Sequence, residues 1–235
     1  MKLTWYGQSA FRIEVKGATI LIDPFLGGNP LWKTGWEGPA DGVTHVLLTH
    51  GHNDHFGDAL PILMKTGAML VANPEIGDYL NGKGVPDKQI NSGNHGGTVD
   101  CGGFTTTFVQ ALHSSSYTME DGVGVYMGNP NGLVLHFSDD KTLYHMGDTD
   151  IFSDMALINE LHEPKIGLVP VGDRYTMGGA VAALACRRFF KFEAVVPCHY
   201  KTFGLLDQTP DKFVAGMEGS GVDVVVPELG KAVEL

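Results

Sequence analysis

Short apolar-rich runs of strand length open the chain. Residues 2–6, 10–15 and 19–22 are separated by the turn-forming segments Gly7-Gln8-Ser9 and Lys16-Gly17, and they read as an antiparallel meander. Asp23-Pro24 closes the third run. Residues 24–42 then show no clear periodicity, which marks a long connection of the kind often used as a lid or binding loop. Its two tryptophans, Trp32 and Trp36, either cover a substrate pocket or pin the loop to the core.

From residue 43 strands and helices alternate. A strand over 43–49 is followed by a helix over 56–65 with Pro61 near its start, a strand over 68–72 and a helix over 74–81. A Gly/Asn-rich connection leads to strands at 99–101 and 105–111. The second half begins at Gly122, where strands 124–127 and 133–138 are joined by the turn signal Gly128-Asn129-Pro130-Asn131-Gly132. Strand 142–146 follows, and the apolar spacing of 151–161 predicts an amphipathic helix. Strand 166–171, helix 179–190, strand 194–197, helix 210–218 and strand 222–226 complete the chain. A meander plus βαβ units in each half predicts two sheets back to back with helices outside. No linker or low-complexity segment intervenes, so residues 1–235 are expected to form one domain.

Composition narrows the functional classes. A hydrophobic fraction of 43% is ordinary for a globular protein, and no apolar run approaches the length of a membrane span. Three widely spaced cysteines without a CxxC pair, and a start lacking a secretory signal, suggest a reducing, cytoplasmic setting. The net charge of −11 argues against nucleic acid as a partner and leaves a small-molecule substrate, with a homo-oligomer left open.

The chemistry concentrates in Thr49-His50-Gly51-His52-Asn53-Asp54-His55, directly after the apolar Val46-Leu47-Leu48. Neutral imidazole is the commonest protein ligand for divalent transition metals, and carboxylate suits the harder ones. If the chain is still extended at His50 and His52, both side chains point to the same side. The turn after Gly51 can then bring Asp54 and His55 round to a second ion. A surface loop that binds nothing is the alternative, and the strand-then-turn context argues against it.

The pattern His50-x-His52-x-Asp54-His55 resembles the signature of the metallo-β-lactamase superfamily, whose members build a dinuclear metal site at the edge of a four-layer αββα sandwich. The resemblance implies this α/β fold and the remaining ligands. His113 matches the third histidine of the first ion, Asp148 the bridging carboxylate and His199 the last histidine. One ion would be held by His50, His52 and His113, the other by Asp54, His55 and His199. Asp23 matches a carboxylate that supports such sites from behind the ligands, or is simply a turn residue before proline.

Five imidazoles and two carboxylates leave net positive charge on two divalent ions, zinc in the first instance, with manganese or iron as alternatives. Such a pair lowers the pKa of a bridging water toward neutrality, and the resulting hydroxide would be the nucleophile. Asp54 would serve both as a ligand and as an orienting or proton-accepting group. His45, His136, His145 and His162 read as structural and His95 as exposed; Cys198 should point away from its neighbour His199.

The opening Trp5-Tyr6-Gly7-Gln8-Ser9-Ala10-Phe11 and residues 172–178 resemble a narrower group, small bacterial and archaeal metal-dependent hydrolases related to ascorbate phosphate lactonase. Many of that group carry Gly-Gly-His where this chain has Gly172-Asp173-Arg174. Asp173 and Arg174 are expected on the metal-bearing edge as substrate-binding residues. Arg174 would pair with a substrate carboxylate or phosphate, or else form a surface pair with Asp173. The expected function is a dinuclear metal-dependent hydrolase acting on a small ester, lactone or phosphodiester. A phospholipid or cyclic-nucleotide phosphodiesterase and a non-catalytic metal-dependent sensor are the alternatives.

Overall fold

Strand alternation sorts the side chains of the first half onto two opposed faces. In the computed structural model, which describes residues 1–235, β1 (Lys2–Trp5), β2 (Phe11–Val15) and β3 (Ala18–Ile22) form the antiparallel meander. β4 (His45–Leu47), β5 (Met69–Ala72) and β6 (Ile90–Ser92) add in parallel. Leu3, Trp5, Phe11, Ile13, Ile20, Ile22, Leu47 and Val71 face one way into the larger core. Leu21, Val46, Leu48, Leu70 and Ala72 face the other way. There they meet Ile62 and Leu63 of α2 and Ile76 and Leu80 of α3. These helices, α2 (Ala59–Thr66) and α3 (Pro74–Gly82), follow the single turn α1 (Asn53–Phe56).

The second sheet runs through β7 (Thr98–Asp100) and β8 (Phe104–Gln110), with β9 (Ser116–Thr118) and β10 (Gly124–Tyr126) forming a separate ribbon. It continues with β11 (Asn131–Phe137), β12 (Leu143–His145), β13 (Ile166–Pro170), β14 (Ala194–Cys198) and β15 (Asp223–Val224). From β12 to β15 the pairing is parallel. β13 and β14 are buried along their whole length, as parallel strands covered on both faces must be. Ala182, Ala183, Ala185 and Cys186 of α5 (Gly179–Phe189) belong to the same core. α4 (Met155–His162) and α6 (Asp211–Met217) flank α5. The last strand, β16 (Ala232–Glu234), returns to pair with β1. The architecture is the four-layer αββα sandwich. No helix is long and apolar enough to cross a membrane.

Several expected elements differ in detail. The helix over 56–65 is two helices, broken where the chain turns at Gly57 and Asp58. The Asp58 carboxylate accepts the amides of Leu26 and Gly27 there, tying the break to the 24–42 loop. Pro61 is the third residue of α2, in the first turn, where its missing N–H costs nothing. Helix α4 starts at Met155 rather than at residue 151. Strand 124–127 does not pair with 133–138. β10 pairs with β9, and β11 pairs with β8, because Asn73 Nδ2 holds the carbonyls of Met127 and Asn129 and diverts the turn. Both tryptophans of the 24–42 loop take the pinning role. Trp32 packs edge-on against Tyr6, 4.7 Å between centroids, and Trp36 lies beneath Lys65.

The two parallel ends that carry later residues of interest are packed with little tolerance. Val171 N bonds Cys198 O at 3.0 Å, and a Cβ on Gly172 would fall 1.8 Å from the His199 carbonyl oxygen. That oxygen is backbone, so it cannot swing aside. Gly172→Ala should destabilise the protein by about 1–3 kcal/mol, a drop in melting temperature of several degrees for a chain of this size. A thermal melt indistinguishable from that of the parent would show that this edge yields.

Candidate metal centre

One edge of the sandwich collects the polar residues, because the strands that carry them end there. Gln8 follows β1, Asp23 follows β3, and Thr49 and His50 follow β4; His113 follows β8, Asp148 follows β12 and His199 follows β14. His52 keeps extended backbone (φ −61°, ψ 145°) as the N-cap of α1, and the one turn of α1 swings Asp54 and His55 back toward the edge. Gly51 leaves room for Met127, whose Cβ would lie only 2.2 Å from a Cβ at that position. The backbone between the two extended histidines can therefore press against the ribbon that begins after His113.

Two groups of side chains converge. His50 Nε2 lies 3.0 Å from His52 Nδ1, which lies 3.3 Å from His113 Nε2. Asp54 Oδ2 lies 3.6 Å from His55 Nε2 and 3.8 Å from His199 Nε2. Asp148 stands between the groups. Its Oδ2 is 2.9 Å from His199 Nε2, 3.2 Å from His55 Nε2, 3.6 Å from His113 Nε2 and 4.0 Å from His50 Nε2.

Behind the histidines a buried hydrogen-bond system fixes which nitrogen each presents. Asp23 is fully buried, and its Oδ2 accepts from His55 Nδ1 at 2.8 Å and from Thr49 Oγ1 at 2.6 Å. With its proton committed to Asp23, the Thr49 hydroxyl accepts from His50 Nδ1 at 2.9 Å. One carboxylate thus turns the Nε2 atoms of both His50 and His55 toward Asp148. Asp23 Oδ1 takes the Thr49 amide at 2.8 Å, so both of its carboxylate oxygens are engaged within the protein. His52 uses its other nitrogen against Ser114 Oγ at 3.3 Å. Gln8 Nε2 donates to Asp54 Oδ2 at 2.6 Å.

The donor set fits divalent cations. The spacings of 3.0 and 3.3 Å in the three-histidine group compare with about 3.3 Å between tetrahedral ligands at ~2.0–2.1 Å from zinc. Asp148 Oδ1 is buried without a hydrogen-bond partner. Such an atom costs on the order of 1–3 kcal/mol, a cost that a cation between the two groups would remove. Burial, reinforced by neighbouring imidazoles, holds His50 well below the ordinary imidazole range and lowers His52 and His113 also. Burial acts the same way on His55, but Asp148, Asp54 and Asp23 outweigh it and hold His55 well above that range. Burial likewise opposes charge on Asp148, and there His199 and His55 prevail and keep the carboxyl ionised.

A cavity of about 640 Å³ opens over this edge, with Gln8, His52, Asp54, His113, Asp148 and His199 on its floor. Asp173 and Arg174, expected to bind substrate, do not line it. Both adopt left-handed backbone (φ 60° and 50°) in a turn closed by a bridge between Gly172 and Gly178, and both are exposed. That turn presents Tyr175 to the cavity instead, with the Arg174 guanidinium over the tyrosine ring. Gln8, Thr49, Tyr175, Phe25, Phe203 and Leu205 escaped the sequence reading. Gln8 sits inside the opening motif, but a buried amide and an exposed turn residue leave the same local pattern. His145 is buried and structural, accepting from Gly147 N at 3.0 Å just ahead of Asp148.

The histidine environments predict the proton balance of metal uptake. Burial disfavours a proton on His50, His52 and His113, whereas the carboxylates around His55 favour one there. Metal binding near pH 7 should therefore release on the order of one proton per chain, and the release should decline as pH rises through the His55 pKa. Affinity should fall as pH drops and the other histidines charge. Calorimetry in buffers of different ionisation heat reads both quantities. In Asp23→Asn the affinity should fall roughly 10–100-fold; equal affinity in both proteins would mean that Asp23 does not orient His55.

Comparison with known proteins places the chain in a family. Residues 2–199 match the family model of the beta-lactamase superfamily domain. A UPF0173 metal-dependent hydrolase of Chelativorans sp. is 73% identical over all 235 residues and the whole of that protein. Its counterpart in Mesorhizobium japonicum is 71% identical over the same span. Among solved structures, Igni18, a metallo hydrolase of the hyperthermophilic archaeon Ignicoccus hospitalis, superposes with a TM-score of 0.86 at 38% identity, covering 99% of this chain and 97% of its own. The chain belongs to the beta-lactamase superfamily, within its UPF0173 metal-dependent hydrolase family.

Proposed function

We propose that residues 1–235 form one dinuclear metal-dependent hydrolase domain acting on a small ester, lactone or phosphodiester. The observation that carries the reading is the position of Asp148 Oδ2, within 4.0 Å of four imidazole nitrogens drawn from both groups. His50, His52 and His113 would hold one ion, Asp54, His55 and His199 the other, and Asp148 both. When bound, the two cations would supply a water of lowered pKa and polarise the substrate oxygen. The ligands suit zinc, with manganese or iron as alternatives.

The chain's own residues divide the remaining work. Asp148 is 3% exposed and enclosed by imidazoles, so its role is to hold charge in place. Asp54 is 29% exposed, lines the cavity and is anchored by the Gln8 amide, which makes it the carboxylate placed to take a proton from a reactant. The relatives' designation as metal-dependent hydrolases supports the reading. A cavity open directly above the donors favours turnover over a purely structural or sensing role.

Protein reconstituted with zinc or manganese and desalted should retain about two ions per chain and hydrolyse members of a chromogenic ester, lactone and phosphodiester panel. Asp148→Ala should weaken both sites and abolish turnover. Retention of a single ion by the parent, with turnover preserved in Asp148→Ala, would remove the dinuclear reading.

A further inference from the structure

The cavity above the metal centre has a polar floor and a mouth where four large apolar side chains share the surface with Asn53 and Ser114. Phe25 comes from the connection after β3, Tyr175 from the turn after β13, and Phe203 and Leu205 from the segment after β14. Three separate segments thus deliver large apolar side chains to one mouth. The Phe25 and Phe203 rings lie 6.2 Å apart, and Tyr175, Phe203 and Leu205 are 53%, 37% and 61% exposed. Single exposed apolar residues need no explanation, but four around a cavity mark a surface that a ligand covers.

Charge sharpens the picture. No lysine or arginine lines the cavity, and the chain carries a net charge of −11. Arg174 has its guanidinium carbon 5.6 Å from the Tyr175 centroid, and Lys201 lines a different cavity. The reacting group of a substrate would face the cations on the floor. Among the lining residues a negative charge on the rest of the molecule would meet no side-chain cation, and the guanidinium beside the rim, that of Arg174, is stacked on Tyr175.

Resting on the hydrolase reading above, we infer that the substrate is an ester-type molecule whose non-reacting arm is uncharged and apolar. That arm seats against Phe25, Tyr175, Phe203 and Leu205. The rim thereby selects against nucleotides, sugar phosphates and other substrates with anionic arms. Tyr175 and Phe203 are then the specificity-determining residues.

Alkyl hydroxamates from two to eight carbons test this on the metal-loaded protein, with dissociation constants read by calorimetry and the turnover of matched esters read alongside. In the neutral series affinity should rise by up to about fourfold per added methylene. Hydroxamates of equal length ending in a carboxylate should bind roughly tenfold more weakly. Phe203→Ala and Leu205→Ala, both at exposed positions, should flatten the length dependence without lowering the melting temperature. Affinity independent of length, or carboxylate-ended compounds binding as well as neutral ones, would overturn the inference. Length-dependent binding without ester turnover would instead defeat the hydrolase reading, and turnover without length dependence would defeat the rim alone.

Discussion

Everything at the functional edge depends on one buried anionic oxygen. Asp148 Oδ2 sits among four imidazole nitrogens and is almost wholly shielded from water. A carboxylate in such surroundings is tolerable only if positive charge accompanies it. The protein can supply that charge as a proton on His55, or cations can supply it. Protonated His55 and a bound cation are thus alternative ways of balancing the same carboxylate.

Holding that arrangement requires backbone geometry that a free chain would avoid. Of seven non-glycine residues with positive φ, only Glu163, which caps α4, lies away from this edge. Gln8, Asp23, Asp173, Arg174, His199 and Lys201 all lie in segments that leave strands toward it. Conformations of this kind cost on the order of 1–3 kcal/mol each and persist only where the surroundings impose them. Here the surroundings are two seven-stranded sheets clamped face to face, joined at the edge itself by Asn131 N to Thr49 O at 2.9 Å. The rigid layers place Asp23 and Thr49 behind the histidines, and that placement selects the nitrogen each histidine presents. Preorganisation of the donors is thus a property of the sandwich rather than of the loops.

Most of the sheet framework was legible in the sequence because its signals are local, although the short strands β6, β9 and β16 were not expected. Alternating apolar residues at Leu3, Trp5, Phe11 and Ile13, and the continuous apolar runs of β13 and β14, announce how many faces each strand buries. The motif from His50 to His55 was legible for the same reason, since four donors and the turn that gathers them lie within six residues. What stayed hidden is non-local. Whether Gln8 is a turn residue or the anchor of Asp54 depends on a residue 46 positions away. β10 chose β9 over β11 because Asn73 captures two carbonyls more than fifty residues on. The apolar part of the rim is assembled from single residues of three segments, each of which alone looks like an ordinary loop. Arg174 was the most conspicuous residue of its segment, yet the Gly172–Gly178 bridge turns Tyr175, not the guanidinium, over the cavity.

One carboxylate, Asp148, is proposed to organise two cation sites. Anomalous diffraction at the absorption edge of the loaded metal addresses it directly. Two peaks about 3.5–4 Å apart are expected, one beside His50, His52 and His113 and the other beside Asp54, His55 and His199, with Asp148 between them. A single peak, or two peaks with Asp148 contacting only one, would contradict it.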